Sequence, residues 1–167
     1  MNISDYFSAT STKDDARPAS ARPVSREPRL VYPDPDSPLR KTLIHPSTGV
    51  VIPSAQYELY DALCQIPTGR ITTYASLAKH LTGHENGARS IGHRLSGNLN
   101  LFAPVVPCHR VIKSNLKIGG FGSETSLTSP QVLEKLALLR REGVYFDTKS
   151  KLIDRGKLWS DFNKVGG

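Results

Sequence analysis

The chain changes character near residue 42, and this change limits the part of it that can form a packed core. Up to that point the sequence, including STKDDARPASARPVSREPRLVYPDPDSP, is dense in Pro, Ser, Arg and Asp and has no helical or strand period. Such a segment buries too little apolar surface to offset the entropy lost on ordering. We therefore predict a disordered tail over residues 1–41 and one folded domain over residues 42–167.

The charge of the chain points to a polyanionic partner. The net charge is +7 and the pI is about 9.6. The tail is nearly neutral, with seven basic and six acidic residues up to Lys41, and the 15 basic and 9 acidic residues from Thr42 onward carry the excess. A basic folded part suits nucleic acid, although it also fits an ordinary solvated surface.

Cysteine content and hydropathy exclude several classes of protein. Cys64 and Cys108 are too few for a disulfide scaffold or a cysteine-rich zinc site, and free thiols suit a reducing compartment. We expect no metal and no other cofactor. No stretch reaches the roughly 18 consecutive apolar residues of a membrane span, and the N-terminus lacks a secretory signal. We therefore expect an intracellular protein without a membrane partner, in the nucleus of a eukaryote or the cytoplasm of a prokaryote.

Four stretches have helical periodicity and are flanked by residues that begin or end helices. They are PSAQYELYDALCQIP, TTYASLAKHL with threonine as N-cap, ARSIGHRLSGN with a helix over residues 88–95, and SPQVLEKLALLRREG from its Ser129 cap to Gly143. The second and third outline a helix-turn-helix, although any pair of short helices gives a similar pattern. We place Cys64 on or beside the buried face of the first helix, as a core thiol.

The remaining sequence completes an α+β fold that is mostly helical. FAPVVPCHRVI leads into KIGGFGSETS, a glycine-rich loop. The end of the chain, VYFDTKSKLIDRGKLW, alternates enough to predict a short hairpin or an extended cover.

The tetrapeptide PCHR, residues 107–110, places a thiol beside two basic side chains. A thiol becomes a strong nucleophile when it loses its proton, and a neighbouring base or cation favours that loss. Cys108 is therefore a candidate nucleophile, His109 its proton acceptor and Arg110 a source of positive potential. The alternative is a strand end with a buried thiol and a surface His–Arg pair, and the tetrapeptide alone does not separate the two.

PVVPCHRVI resembles the active-site signature of the O6-alkylguanine-DNA alkyltransferases, which are also called methylated-DNA–protein-cysteine methyltransferases. IPTGRITTYASLA is similar to the approach of that family to its DNA-binding helices, ARSIGHRLSGN to its recognition helix and the asparagine that follows, and LLRREGV to its late helix. These motifs occur in family order within residues 55–147. The resemblance implies a winged-helix-like helix-turn-helix domain that binds the DNA minor groove and rotates an alkylated guanine out of the duplex.

The resemblance also implies the catalytic residues. Cys108 would attack the alkyl carbon of O6-alkylguanine, or of O4-alkylthymine, and His109 would link Cys108 through water to Glu142. Tyr74 would donate a proton to the guanine as it leaves. The thioether formed on Cys108 has no evident route back to a thiol, so each molecule would act once and without a cofactor.

The same resemblance assigns residues to DNA and to the pocket. Arg89 would fill the place that the extruded guanine leaves in the duplex. The other implied DNA contacts are Ala88, Gly92, His93, Ser96 and Thr73. The implied pocket residues are Asn98, Val111, Phe121, Gly122, Ser123 and Lys135. Taken singly, Arg89, Glu142 and Lys135 also fit solvated charges, and Tyr74 fits a packed aromatic.

The sequence departs from the family pattern around the pocket. The segment LNLFAPVVP before Cys108 is longer than the family's, and so is the loop SETSLTS before Pro130. Phe121 stands where tyrosine is usual, and His93 and Ser96 stand where glycine and arginine are frequent. We therefore expect the largest differences from the family in the pocket wall.

Three functions are compatible with these residues. The first is alkyl transfer from double-stranded DNA to a monomeric protein. The second is a non-catalytic relative that binds alkylated DNA and recruits repair factors, and Cys108 argues against it because such relatives replace the cysteine. The third is a thiol hydrolase with a Cys–His pair, but the sequence lacks an oxyanion-hole or nucleophile-elbow pattern.

Within the tail, ISDYF at residues 3–7 has the spacing of a sliding-clamp-binding peptide without the usual leading glutamine. A weak clamp contact is one interpretation, and a frayed apolar N-terminus is the simpler one. On either interpretation, deletion of residues 1–40 is expected to leave alkyl transfer intact.

Overall fold

The computed structural model describes residues 30–96, 101–102, 105–122 and 124–163. Its α-helices and strands are α1 (Ser54–Cys64), β1 (Thr72–Thr73), α2 (Tyr74–Thr82), α3 (Ala88–Ser96), β2 (Val111–Ile112) and α4 (Pro130–Arg141). The two strands are parallel, with Thr72 paired with Val111 and Thr73 with Ile112. The predicted α+β, mostly helical fold is confirmed. Within the described ranges no helix is long and apolar enough to cross a membrane.

Helix α1 supplies much of the first core cluster. Its predicted apolar positions Tyr57, Tyr60 and Leu63 are buried. Cys64 is exposed, and its thiol lies 3.8 Å from the carbonyl oxygen of Val105. The prediction of a core thiol is wrong: Cys64 follows Tyr57 and Tyr60 at helical spacing, but it is the last residue of α1 and is left exposed there.

Helices α2 and α3 form the predicted helix-turn-helix. Thr73 is the N-cap of α2, and its Oγ1 accepts from the Ser76 N–H at 3.1 Å. Gly83 ends the helix in the left-handed region with φ +81°. A 3-10 turn over Glu85–Gly87 then leads into α3. A Cβ at Gly87 would come within 3.3 Å of the Cβ of Ala78, so the close approach of the joint to α2 favours glycine.

Helix α4 and the C-terminal segment also follow the predictions. Ser129 Oγ accepts from the Val132 N–H at 3.3 Å, and α4 ends just before Gly143. The chain then forms a short hairpin, with bridges that include Phe146 to Leu152. It continues as an extended cover over the core. The Ile71 N–H donates to the Lys157 carbonyl at 2.9 Å, and the Ile71 carbonyl accepts from the Trp159 N–H at 2.8 Å.

The core consists of two clusters that meet at the reactive segment. The first cluster takes residues from α1, α2 and α3, and the second from α4, β2 and the hairpin. Cys108 packs against both clusters. Cys108 therefore lies where the two halves of the core meet.

The last part of the predicted tail contacts the folded part. Pro38–Lys41 form a 3-10 turn, and Arg40 forms an ion pair with Asp61 of α1 at 2.7 Å. Predicted disorder does not extend to this stretch, because Tyr32 and Arg40 find partners on α1. Residues 1–29, which include the clamp-like motif, lie outside the described residues. The domain division at residue 41 stays a prediction.

Candidate active site

Cys108 lines a cleft of about 1080 Å³. It begins a 3-10 turn, Cys108–Arg110, directly before β2, and Pro107 is the N-cap of that turn. The thiol lies 3.5 Å from the carbonyl oxygen of Val106. Cys108 is half-buried, whereas the next residue, His109, is only 4% exposed. The turn therefore presents the thiol to the cleft and the imidazole to the interior.

Burial raises the pKa of Cys108 above its ordinary value. A backbone hydrogen bond and the charge of Lys135 lower the pKa, but their effect is smaller than that of burial. The resting thiol is therefore protonated near neutral pH and needs a base at the moment it reacts.

Glu142 joins His109 to Arg110 on the interior side of the turn. Glu142 Oε1 lies 2.8 Å from His109 Nε2. Arg110 donates from Nε to Oε2 at 2.9 Å and from Nη2 to Oε1 at 2.8 Å. Arg110 also donates to the carbonyl of Ile66 at 2.7 Å and to the hydroxyl of Thr68 at 3.1 Å. The loop between α1 and β1 thus holds Arg110, and Arg110 holds Glu142.

Burial and pairing determine the charges of this group. Burial lowers the pKa of His109, and contact with Glu142 opposes this only in part. Burial raises the pKa of Glu142, but hydrogen bonds from Arg110 and His109 outweigh it and leave the pKa below its ordinary value. A neutral imidazole that faces a carboxylate donates through the facing nitrogen, here Nε2. Nδ1 of His109 is therefore the nitrogen that can accept a proton.

Lys135 is fully buried on α4, next to the cleft. Its Nζ donates to the carbonyls of Val111 at 2.6 Å, Ile118 at 2.8 Å and Gly120 at 3.0 Å. Burial lowers the pKa of Lys135 to about 7, although three carbonyl acceptors match the three N–H groups of the charged form. Lys135 ties β2 to the glycine-rich loop, and its interpretation as a solvated charge is wrong.

Two aromatic rings lie on the cleft above Lys135. The lysine Nζ is 5.9 Å from the ring centroid of Tyr74 and 5.9 Å from that of Phe121. Burial raises the pKa of Tyr74 to about 12, and negative charge on Cys108 contributes to the rise. The Tyr74 hydroxyl therefore keeps its proton at neutral pH. A Cβ at Gly92 would lie 3.9 Å from Tyr74 Cε1, which shows how closely α3 passes the ring.

Two groups of polar side chains line the cleft, and we call them its two walls. Helix α3 supplies the first, with the exposed side chains of Arg89 and His93. The turn after β2 supplies the second, and its lining residues are Lys113, Ser114, Asn115 and Lys117. The Lys113 N–H donates to the Lys117 carbonyl at 3.0 Å and closes this turn. Sequence reasoning missed the second wall, for which two lysines four residues apart before a glycine-rich loop were the available signal.

Most of the predicted site residues lie together. Those that line the cleft are Tyr74, Ala88, Arg89, Gly92, His93, Ser96, Cys108, Phe121 and Gly122. His109, Glu142 and Lys135 lie next to this lining. Thr73 is used as the α2 cap, and Val111 is fully buried with its carbonyl bonded to Lys135, so neither is among the lining residues. Asn98 and Ser123 lie outside the described residues. In the described part of the chain, no three His, Cys, Asp or Glu side chains are grouped to hold a metal ion.

Comparison with known proteins identifies the family. The sequence model described as "6-O-methylguanine DNA methyltransferase, DNA binding domain" matches residues 54–144, which is more than half of the chain. The matched segment contains the four α-helices of the described residues, together with Cys108 and Glu142. The chain therefore belongs to the 6-O-methylguanine DNA methyltransferase family through its DNA-binding domain.

Two curated relatives are named methylated-DNA–protein-cysteine methyltransferase. The Candida glabrata protein is 39% identical over 102 residues, which cover 61% of this chain and 44% of that protein. The Methanosarcina acetivorans protein is 41% identical over 68 residues, which cover 41% of this chain and 42% of that protein. The chain thus spans less than half the length of these relatives.

A solved structure is similar over most of its own length. It is S. pombe Atl1 in complex with damaged DNA containing O6-carboxymethylguanine, with a TM-score of 0.50 and 26% sequence identity. The similarity covers 63% of this chain and 94% of that chain.

Proposed function

We propose that this protein repairs DNA by transferring an alkyl group from O6 of guanine to Sγ of Cys108, once per molecule. The observation that carries the proposal is the position of Cys108, which shares a cleft with Tyr74 and α3 and directly precedes the buried His109 that contacts Glu142. Family membership and the names of the relatives support the same reaction. O4-alkylthymine offers the same chemistry and is a second candidate substrate.

The side chains of the site account for the bonds and protons of this reaction. His109 Nδ1 accepts the Cys108 proton through a water molecule, and Glu142 stabilises the imidazolium. The thiolate attacks the alkyl carbon, so that a C–S bond forms while the C–O6 bond breaks and its electron pair stays with guanine. Tyr74 then donates a proton to the base. Charge on Cys108, which raises the pKa of Tyr74, disappears as the thioether forms, so Tyr74 becomes a better acid as the reaction proceeds.

The two walls of the cleft supply the contacts to DNA. Arg89 in one wall and Lys113 and Lys117 in the other would neutralise backbone phosphates, and His93 lies beside Arg89 in the same lining. The alkylated base must leave the stack, because Cys108 cannot reach O6 inside a duplex. Arg89, near the start of α3, would occupy the vacated place.

A protein that binds alkylated DNA without reacting is the second candidate. The similarity to S. pombe Atl1, which was crystallised with damaged DNA, favours it. Cys108 favours transfer, since binding alone does not require a thiol beside a buried His109–Glu142 contact.

Mass spectrometry after mixing with duplex DNA that carries O6-methylguanine separates the two candidates. Transfer predicts the gain of one methyl group on the Cys108 peptide of the wild type. Cys108→Ser should bind the DNA and gain none, because a serine hydroxyl is far less acidic than a thiol. Cys64→Ser is the matched control and should react normally. A wild-type protein that binds the DNA and stays unmethylated would establish the binding function, and methylation of another residue would remove Cys108 as the nucleophile.

A further inference from the structure

The stretch before α1 is fastened to that helix at Asp61. The Tyr32 hydroxyl donates to Asp61 Oδ1 at 2.5 Å, and Arg40 donates to both carboxylate oxygens at 2.7 Å. Arg40 also donates to the carbonyl of Pro33 at 3.0 and 3.2 Å. Burial alone would raise the pKa of Asp61, but the hydrogen bonds from Arg40 and Tyr32 leave it below its ordinary value. The ion pair therefore holds Tyr32 in one position.

The ring of Tyr32 continues from this ion pair into the aromatic part of the first core cluster. Its centroid lies 5.1 Å from that of Phe102, 6.2 Å from that of Tyr60 and 6.3 Å from that of Tyr57. The guanidinium of Arg40 lies 5.2 Å from the same ring. Tyr57 and Tyr60 belong to α1, whereas Phe102 belongs to the segment that leads to Cys108. Tyr32 therefore bridges the helix and that segment.

Phe102 is connected to the thiol by hydrogen bonds. Its carbonyl accepts from the Val106 N–H at 3.1 Å. The Val106 carbonyl accepts from the Cys108 N–H at 2.9 Å and lies 3.5 Å from Sγ. The described residues between Ser96 and Cys108 form neither helix nor strand. The orientation of the thiol therefore depends on how Phe102, which is 3% exposed, is packed.

We propose that Tyr32 is a positioning residue for the Cys108 thiol, because its fastened ring fixes Phe102 and, through Phe102 and Val106, the turn that carries Sγ. The part of this proposal that concerns alkyl transfer rests on the proposed function, whereas the part that concerns the thiol itself does not. Displacement of a reacting group by about 1 Å can cost about 10²-fold in rate. The proposal reverses the expectation from the sequence that residues 1–40 can be deleted without effect.

The first test replaces Tyr32 in the full chain and measures single-turnover methyl transfer. Tyr32→Ala removes the ring that packs on Phe102, and transfer should slow by about 10- to 100-fold. Affinity for the duplex should change by less than about twofold, because α3 and the Lys113 turn are unaltered. Tyr32→Phe keeps the ring but loses its hydrogen bond to Asp61, so it should recover the rate only in part. Tyr145→Ala, at an exposed tyrosine, is the matched control and should react like the wild type.

The second test measures the thiol without DNA, by the rate at which iodoacetamide alkylates Cys108 in a Cys64→Ser background. Burial holds the pKa of Cys108 above its ordinary value. When the segment loosens in Tyr32→Ala, Sγ becomes more accessible and its pKa falls toward that value. Alkylation at pH 8 should therefore become several-fold faster, although methyl transfer becomes slower. A thiol that is displaced but folded gives these two opposite changes.

Leu152→Ala in the second core cluster controls for lost stability, at a temperature where circular dichroism shows both variants folded. It should change neither rate. If Tyr32→Ala does not fold, Tyr32→Leu, which also lacks the ring, takes its place. Unchanged iodoacetamide kinetics in the folded variant would overturn the proposal, as would the same pair of changes in Leu152→Ala. If the wild type transfers no methyl group but alkylation still accelerates, the proposed function fails and the positioning role of Tyr32 stands.

Discussion

Glu142 shares its carboxylate between an imidazole and a guanidinium. Arg110 contacts both oxygens, so the negative charge is already paired before His109 gains a proton. Contact with Glu142 raises the pKa of His109, but burial and the charge of Arg110 lower it. The result is a neutral imidazole that becomes charged only when it takes a proton from the thiol, as a base for a buried nucleophile requires.

Glu142→Gln should slow methyl transfer and change its dependence on pH. In the wild type the rate should fall as the pH drops through the pKa of His109, which lies below 6.5, because the protonated imidazole cannot accept the thiol proton. Without the carboxylate that pKa is lower still. The acid limb should therefore move to lower pH, and the plateau should drop by about 10²- to 10⁴-fold. Rates between pH 5 and 8 on the O6-methylguanine duplex, with the exposed Glu134→Gln as control, provide the measurement. If the variant has the same plateau rate and the same acid limb as the wild type, Glu142 has only a structural role.

For single residues, the sequence predicts which side chains belong to the site better than it predicts which side chains are buried. The motifs around Cys108 and Glu142 allowed contact between His109 and Glu142 to be anticipated, although the catalytic roles stay predictions. The burial of Lys135 was not predictable, because its three carbonyl acceptors belong to segments distant in sequence. The exposure of Cys64 was not predictable either, since helical spacing groups it with the buried Tyr57 and Tyr60, and its exposure arises at the end of α1.

Helix α3 and the turn of residues 113–117 both line the cleft. The helix contributes Arg89 and His93 to the lining of the cleft, and the turn contributes Lys113 and Lys117. Helix boundaries were predictable because caps are local, as Thr73 and Ser129 show. The turn was not predictable, because its place beside the cleft depends on the tertiary pairing of β2 with β1.

Lys113→Gln combined with Lys117→Gln should weaken DNA binding in a salt-dependent way. If each lysine neutralises one phosphate, the slope of log K against log salt should decrease in magnitude by about 0.9 for each phosphate that is no longer neutralised. Fluorescence anisotropy with a labelled duplex at several salt concentrations measures the slope. The matched control is Lys41→Gln with Arg155→Gln, which removes two exposed cations that are not among the residues lining the cleft. An equal decrease of the slope in both double variants would indicate a general effect of net charge. It would contradict a direct contact of Lys113 and Lys117 with DNA.

The C-terminal segment follows the hairpin and packs on the first core cluster through Trp159 and Phe162. Phe162 stacks on His80 of α2 with ring centroids 4.8 Å apart, and Trp159 meets Phe162 edge-on at 4.6 Å. The sequence predicted an extended cover but could not say what it covers. Parallel bridging of Ile71 to Leu158 depends on the complete fold.

Phe162→Ala should lower the melting temperature more at pH 7.5 than at pH 5. Loss of the stacked ring at pH 7.5 should cost about 2–5 °C. Burial lowers the pKa of folded His80 below 6.5, so the unfolded chain binds the proton more tightly and the wild type loses stability as the pH falls through this window. The variant leaves His80 solvated and avoids this loss, so the two melting temperatures should converge at pH 5. Calorimetry at both pH values checks this, with the exposed Asp161→Ala as control. A difference that is constant with pH would contradict the effect on His80.

Ile71 forms hydrogen bonds with Lys157 and Trp159. Because of these bonds, the stretch that matches the family is shorter than the stretch that packs into one fold. The family match ends at residue 144, yet the residue that leads into β1 is bonded on both sides to a segment beyond that limit. At the other end, Tyr32 and Arg40 cover the aromatic face of α1 from outside the match. A minimal fragment cut at the limits of the match would expose that face and leave two backbone groups of Ile71 without protein partners. Fragments for crystallisation or selection should therefore be designed around the cooperative unit, which includes both flanking segments.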